Sequence, residues 1–110
     1  MIDWSRITDL KSEIGEDDFQ EVVEMFLEEA DEVAAQLLGP PDLDAVEGRL
    51  HFLKGSALNL GLTDLAALCQ NGEKAAASGG AAAVELHKVA AIYQASKAAL
   101  TDYLARPAIF

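Results

Sequence analysis

Apolar residues recur at helical spacing almost from the start of this chain. A first short helix is predicted over Trp4–Ile14, capped by Asp3, with Ile2 folding back on Ile7 as a hydrophobic staple. Gly15 is its natural stop. In the second helix Phe19, Val22, Val23, Phe26, Leu27, Ala30, Val33, Ala34 and Leu37 share one face, at a period of about 3.6 residues. Asp17-Asp18-Phe19-Gln20 has the pattern of a capping box with Asp in place of Ser or Thr, and Gly39-Pro40-Pro41 ends the helix. The third helix is predicted from Asp42–Asp44 to Leu60. Its apolar positions Leu43, Val46, Leu50, Leu53, Ala57 and Leu60 alternate short and long helical steps, as a bundle seam does, and Gly61 ends it. A fourth helix is expected from Thr63 or Asp64 to Ala77, with Leu65, Leu68, Cys69 and Ala76 inward. Gly72 interrupts it and weakens it by about 1 kcal/mol relative to Ala. Ser78-Gly79-Gly80 reads as a loop. The last helix is predicted from Ala81 to Ala105, burying Leu86, Val89, Tyr93, Leu100 and Tyr103, and is stopped by Pro107.

Long amphipathic helices joined by short loops pack by default as an antiparallel up-down four-helix bundle. The expected fold is therefore all-α, with the short first helix capping one end. A chain of 110 residues is the size of one domain, here residues 1–110, and is too short for the larger catalytic folds. At 51% hydrophobic residues it is not disordered. Neither G-x-G-x-x-G nor G-x-x-x-x-G-K-[ST] occurs, so no nucleotide site of those kinds is expected.

Acids outnumber bases 19 to 8, giving a net charge of −11. Nucleic acid and anionic membrane are therefore not expected partners, because both need Lys and Arg to neutralise phosphate. The charge is uneven: residues 1–48 hold 15 acids and 2 bases, residues 49–110 hold 4 acids and 6 bases. The acidic half reads as a solvated face of the second helix, or as a means of steering toward a basic partner. The single cysteine, Cys69, forms no internal disulfide and suits a reducing compartment, so a cytoplasmic location is expected. Met1-Ile2-Asp3-Trp4 has no basic or apolar leader character, and no run of 18 apolar residues occurs.

The chemistry concentrates in His51-Phe52-Leu53-Lys54-Gly55-Ser56-Ala57-Leu58-Asn59-Leu60-Gly61. If Leu50, Leu53, Ala57 and Leu60 face the core, then Glu47, His51, Lys54, Gly55 and Leu58 form a second stripe at the solvent edge, rotated by about 100°. Gly55 costs the helix about 1 kcal/mol, which is acceptable where something must approach the backbone closely. Lys54, one turn from His51, disfavours the imidazolium and keeps the ring neutral and nucleophilic. It also offers positive charge where a phosphoryl group would sit. A neutral imidazole on a helix surface is a competent phosphoryl acceptor, and phosphoryl transfer asks a protein chiefly for positioning and electrostatics. A di-iron bundle needs Glu-x-x-His, but Gly48 and Val84 stand three residues before the two histidines. Two histidines and one cysteine supply a zinc site poorly. His87 reads as a surface residue and Cys69 as a small buried hydrophobe.

His51-x-x-Lys54-Gly55-Ser56, followed by Gly61-Leu62, Leu65-Ala66 and Cys69, resembles the histidine-containing phosphotransfer (HPt) domain of multistep phosphorelays. Trp4, Asp18-Phe19, Phe26 and Leu27 extend the resemblance over nearly the whole chain. It implies a phosphocarrier rather than an ATP-dependent kinase, with His51 phosphorylated on Nε2 by, and relaying to, aspartates of response-regulator receiver domains. A hybrid histidine kinase is a further partner of this kind. Lys54 would stabilise the phosphoryl charge and Gly55 would admit the receiver's loops. Ile7, Leu10, Phe19, Val23 and Leu58 would form the docking patch. No intrinsic cofactor is implied, since the Mg²⁺ used in transfer belongs to the receiver, and a monomer is expected. The alternative is an HPt-like interaction module that binds a receiver or kinase without transferring phosphate. Gly72 departs from the family, which usually has an apolar residue just before the glutamate matching Glu73.

Overall fold

In the computed structural model, which describes residues 2–40 and 42–105, Asp3 Oδ1 accepts the backbone N–H of Ser5 at 3.0 Å and starts α1 (Trp4–Ile14). Gly15, at φ 98°, ends α1 and directly precedes α2 (Glu16–Leu38). With a single residue between the two helices, the expected capping box does not form. Asp17 already lies inside the first turn, where it, Glu16 and Asp18 meet the positive end of the helix dipole. The nine apolar positions read for α2 are all buried or half-buried.

α3 (Val46–Leu60) begins later than predicted. Residues 43–45 form a turn, and Leu43 is left 52% exposed instead of joining the seam. Val46, Leu50, Leu53, Ala57 and Leu60 do form it, each at most 1% exposed. Gly61 closes α3 in the left-handed region at φ 71°. A Cβ there would also stand 2.7 Å from the Asp3 carbonyl oxygen, so both its conformation and its neighbour call for glycine. Asp3 N–H donates to the Gly61 carbonyl at 2.7 Å and Ile2 bridges to Leu62, tying the N-terminal residues to this corner.

α4 (Thr63–Ala75) runs through Gly72 unbroken, contrary to the expected interruption, because Leu50 and Val84 pack into the room its missing side chain leaves. A wide π-helical turn follows over Ala76–Gly80, with Gly79 at φ 86°, then a short 3-10 turn over Ala81–Ala83. α5 (Leu86–Ala105) therefore starts five residues beyond its predicted start. Alanine favours helix there, but left-handed Gly79 and extended Val84 break the path. Pro107, expected to end α5, lies outside the described residues.

α3 packs on α2 and α4, and α5 packs on the same two helices, closing a ring around the core; α1 lies against α2 and α3. The body measures 50 × 21 × 19 Å. On the α2–α5 edge the Tyr93 hydroxyl lies 2.6 Å from Asp31 Oδ1 and 3.1 Å from the Leu27 carbonyl, and Lys97 Nζ donates to Asp31 Oδ2 at 2.6 Å. Burial alone would raise the Asp31 carboxyl, but the bonds from Lys97 and Tyr93 outweigh it and hold it low. Trp4 and Tyr103 pair their rings at 4.9 Å, fastening α1 to the end of α5. Among the described residues, no helix is long and apolar enough to cross a membrane.

Candidate functional site

With the seam of α3 committed to the core, Glu47, His51, Gly55 and Leu58 are exposed along its outer face, and Lys54 is half-buried at the α4 side. The His51 side chain is 72% exposed. Its Nδ1 is in short contact with Glu73 Oε1 of α4. The other oxygen, Oε2, accepts a hydrogen bond from Lys54 Nζ at 2.6 Å, and Lys54 also donates to Gln70 Oε1 at 3.0 Å. Unlike His51, the two charged partners are largely shielded: the Lys54 side chain is 19% and the Glu73 side chain 15% exposed. The Lys54 hydrogen bond holds the Glu73 carboxyl below the usual carboxylate range; burial opposes this and the His51 contact assists it.

An ionised carboxylate can only accept, so one placed at Nδ1 selects the tautomer that carries its proton there. Nε2 is then left with its lone pair on an open ring. The carboxylate also stands where it would balance positive charge arising on the imidazole. Lys54 therefore reaches His51 through Glu73 rather than directly, and the expected repulsion between ammonium and imidazolium is offset by the carboxylate they share. Glu73 and Gln70 were not among the candidates drawn from the sequence. The available signal was the polar face they form on α4, one helical step apart and beside the seam residues Leu65, Cys69 and Gly72.

The sequence-based docking patch needs correction. Ile7, Leu10, Phe19 and Val23 are 1%, 6%, 3% and 0% exposed, because α1 and the first half of α2 turn their apolar stripes into the core. A partner cannot reach them. Only Leu58, at 60% exposed, is presented outward, together with Phe52, Met25 and Trp4, which the sequence reading did not propose for docking. Gly55 is exposed, and a Cβ added there would meet nothing within 4 Å, so the fold itself does not require glycine. Ser56 is buried, whereas Asn59 is exposed and its carbonyl accepts from Arg6 Nε at 3.0 Å.

His87 sits apart from this group, on the rim of an open hollow of about 570 Å³ lined by Leu37, Leu38, Leu43, Val84 and Leu86. Cys69 is buried, and burial, reinforced by the Glu73 charge, pushes its thiol up to about 12, so it stays protonated and inert. Among the described residues, no group of three His, Cys, Asp or Glu side chains is placed to hold a metal ion.

The model of the family described as the Hpt domain matches residues 21–106, which include α3, α4 and the whole His51–Lys54–Gln70–Glu73 constellation. No curated protein and no solved structure matches the chain. An all-helical ring and a family match over most of the sequence lead to one conclusion: the chain belongs to the Hpt domain family, whose members serve phosphotransfer in two-component phosphorelays alongside response-regulator and kinase partners.

Proposed function

We propose that this protein is a phosphocarrier, with His51 shuttling a phosphoryl group between the aspartates of receiver domains. The observation that carries the proposal is the exposed His51 ring whose Nδ1 is engaged by Glu73. The Nε2 lone pair attacks phosphorus of an incoming aspartyl phosphate. The bond from phosphorus to the carboxyl oxygen breaks, an N–P bond forms, and the aspartate departs as carboxylate. No proton needs to leave the ring. The positive charge it gains faces Glu73, which Lys54 keeps in place. The reverse sequence delivers the group to the next aspartate. Gly55 offers bare backbone for the receiver's approach and Leu58 an apolar contact beside it. Mg²⁺ arrives with the receiver, and the chain acts as a cytoplasmic monomer with its ring of helices arranged up and down.

Incubation with a phosphorylated receiver domain is expected to give a label that is acid-labile, alkali-stable and located on His51 by mass spectrometry. A label elsewhere overturns the assignment. Receiver binding without any label leaves an interaction module instead.

Gly55→Gln is expected to raise the receiver concentration for half-maximal transfer about tenfold, the equivalent of about 1.4 kcal/mol of lost contact. Helix content by circular dichroism should persist, since that position has open space around it. Unchanged transfer would show that access does not depend on this glycine.

A further inference from the structure

A lysine ammonium is a mobile point charge with three equivalent donors. Glu73 alone would let it swing around the carboxylate and compete for Oε1, the oxygen that His51 uses. In this structure the ammonium is held from a second side: Lys54 Nζ lies 2.6 Å from Glu73 Oε2 and 3.0 Å from Gln70 Oε1. Gln70 and Glu73 are neighbours on the surface of α4, so one rigid helix presents both acceptors. We propose that Gln70 is a positioning residue for phosphotransfer. By taking one Lys54 N–H it holds the ammonium on Oε2 of Glu73, reserves Oε1 for the His51 Nδ1–H, and so keeps Nε2 as the nucleophile. A neutral amide suits this role, because a second carboxylate would repel an arriving phosphoryl group. The consequence for transfer rests on the phosphocarrier reading; the effect on the ring's tautomer does not.

The test compares the full chain with Gln70→Leu, which removes the acceptor, and Gln70→Glu, which keeps it. Nitrogen NMR at a pH where the imidazole is neutral reads the His51 tautomer, and phosphoramidate, a small phosphoryl donor that needs no docking, reads the reactivity of the ring. In Gln70→Leu the tautomer should shift from Nδ1–H toward a mixture. Labelling should fall about tenfold, the low end of what losing an orienting outer partner costs a metal-bound histidine. The thermal unfolding midpoint should stay in place. Gln70→Glu should retain the wild-type tautomer. A wild-type tautomer in Gln70→Leu overturns the proposal, as does loss of the tautomer in both variants. If the wild-type protein takes no label from phosphoramidate or from a phosphorylated receiver, the phosphocarrier reading falls, and the NMR comparison still decides the role of Gln70.

Discussion

Glu73→Gln should slow phosphoryl transfer to His51 between about ten- and a hundredfold, the range seen when a metal-bound histidine loses the group that orients its other ring nitrogen. The substitution is nearly isosteric, so the packing of α4 should survive and the melting curve should barely move. Three functions go with the charge. The amide no longer dictates which ring nitrogen carries the proton. It cannot balance the positive charge that builds on the imidazole. It also loses the strong hold on Lys54, whose bond to Oε2 is 2.6 Å. Initial rates of labelling from a phosphorylated receiver, with circular dichroism as the control for folding, measure the effect; an unchanged rate would remove Glu73 from the mechanism. The pH dependence follows with a definite sign. The folded-state carboxyl is depressed, by the Lys54 hydrogen bond first and against the pull of burial. Its contribution is thus fully present above the ordinary carboxylate range and is lost only as pH falls through the lower folded value. From neutrality down to that range, the contact with His51 should hold.

Gly72→Leu should destabilise the fold by about 2 kcal/mol, roughly a thirtyfold change in the folding equilibrium. A Cβ at this position would stand 2.8 Å from Leu50 Cδ1 and 3.1 Å from Val84 Cγ1, and Leu50 is fully buried. Inserting a larger side chain into such a core costs about 1–3 kcal/mol, toward the upper end for leucine. The better helix propensity returns about 1 kcal/mol of it. Leu50 immediately precedes His51 and Gly72 immediately precedes Glu73. The bulk would therefore push α3 and α4 apart at the level where the carboxylate meets the imidazole. Urea unfolding checks the stability, and a midpoint equal to wild type would mean that Leu50 and Val84 repack without cost.

The helical face of each segment was legible in the sequence wherever periodicity alone decides it. Trp4–Ile14 was bounded correctly by its Asp3 cap and Gly15, and the outward stripe through His51 followed from the seam at Leu50, Leu53, Ala57 and Leu60. Contacts between helices were not legible in that way. The meeting of His51 with Glu73 joins residues 22 apart, and no local pattern encodes it. The first residues of α5 were misplaced because alanine propensity is weak against a left-handed glycine and an extended Val84. Periodicity also cannot say whether an apolar stripe faces the core or a partner, which is why Ile7, Leu10, Phe19 and Val23 were assigned to docking when they are buried. Gly72 was legible as a departure from the family. Its partner Leu50, whose methyl occupies the missing volume, became visible only in three dimensions.

The openness of the His51 ring, 72% exposed, bears on how long a signal could last. Sites that preserve a reactive intermediate close over it and shut out the solvent. Here the ring is open to solvent, so a phosphoramidate formed on it would last as long as the N–P bond itself lasts in water, with no shelter added by the fold. On the phosphocarrier reading the fold would not guard the charged form, whose level would follow supply and withdrawal by partners and the durability of the N–P bond.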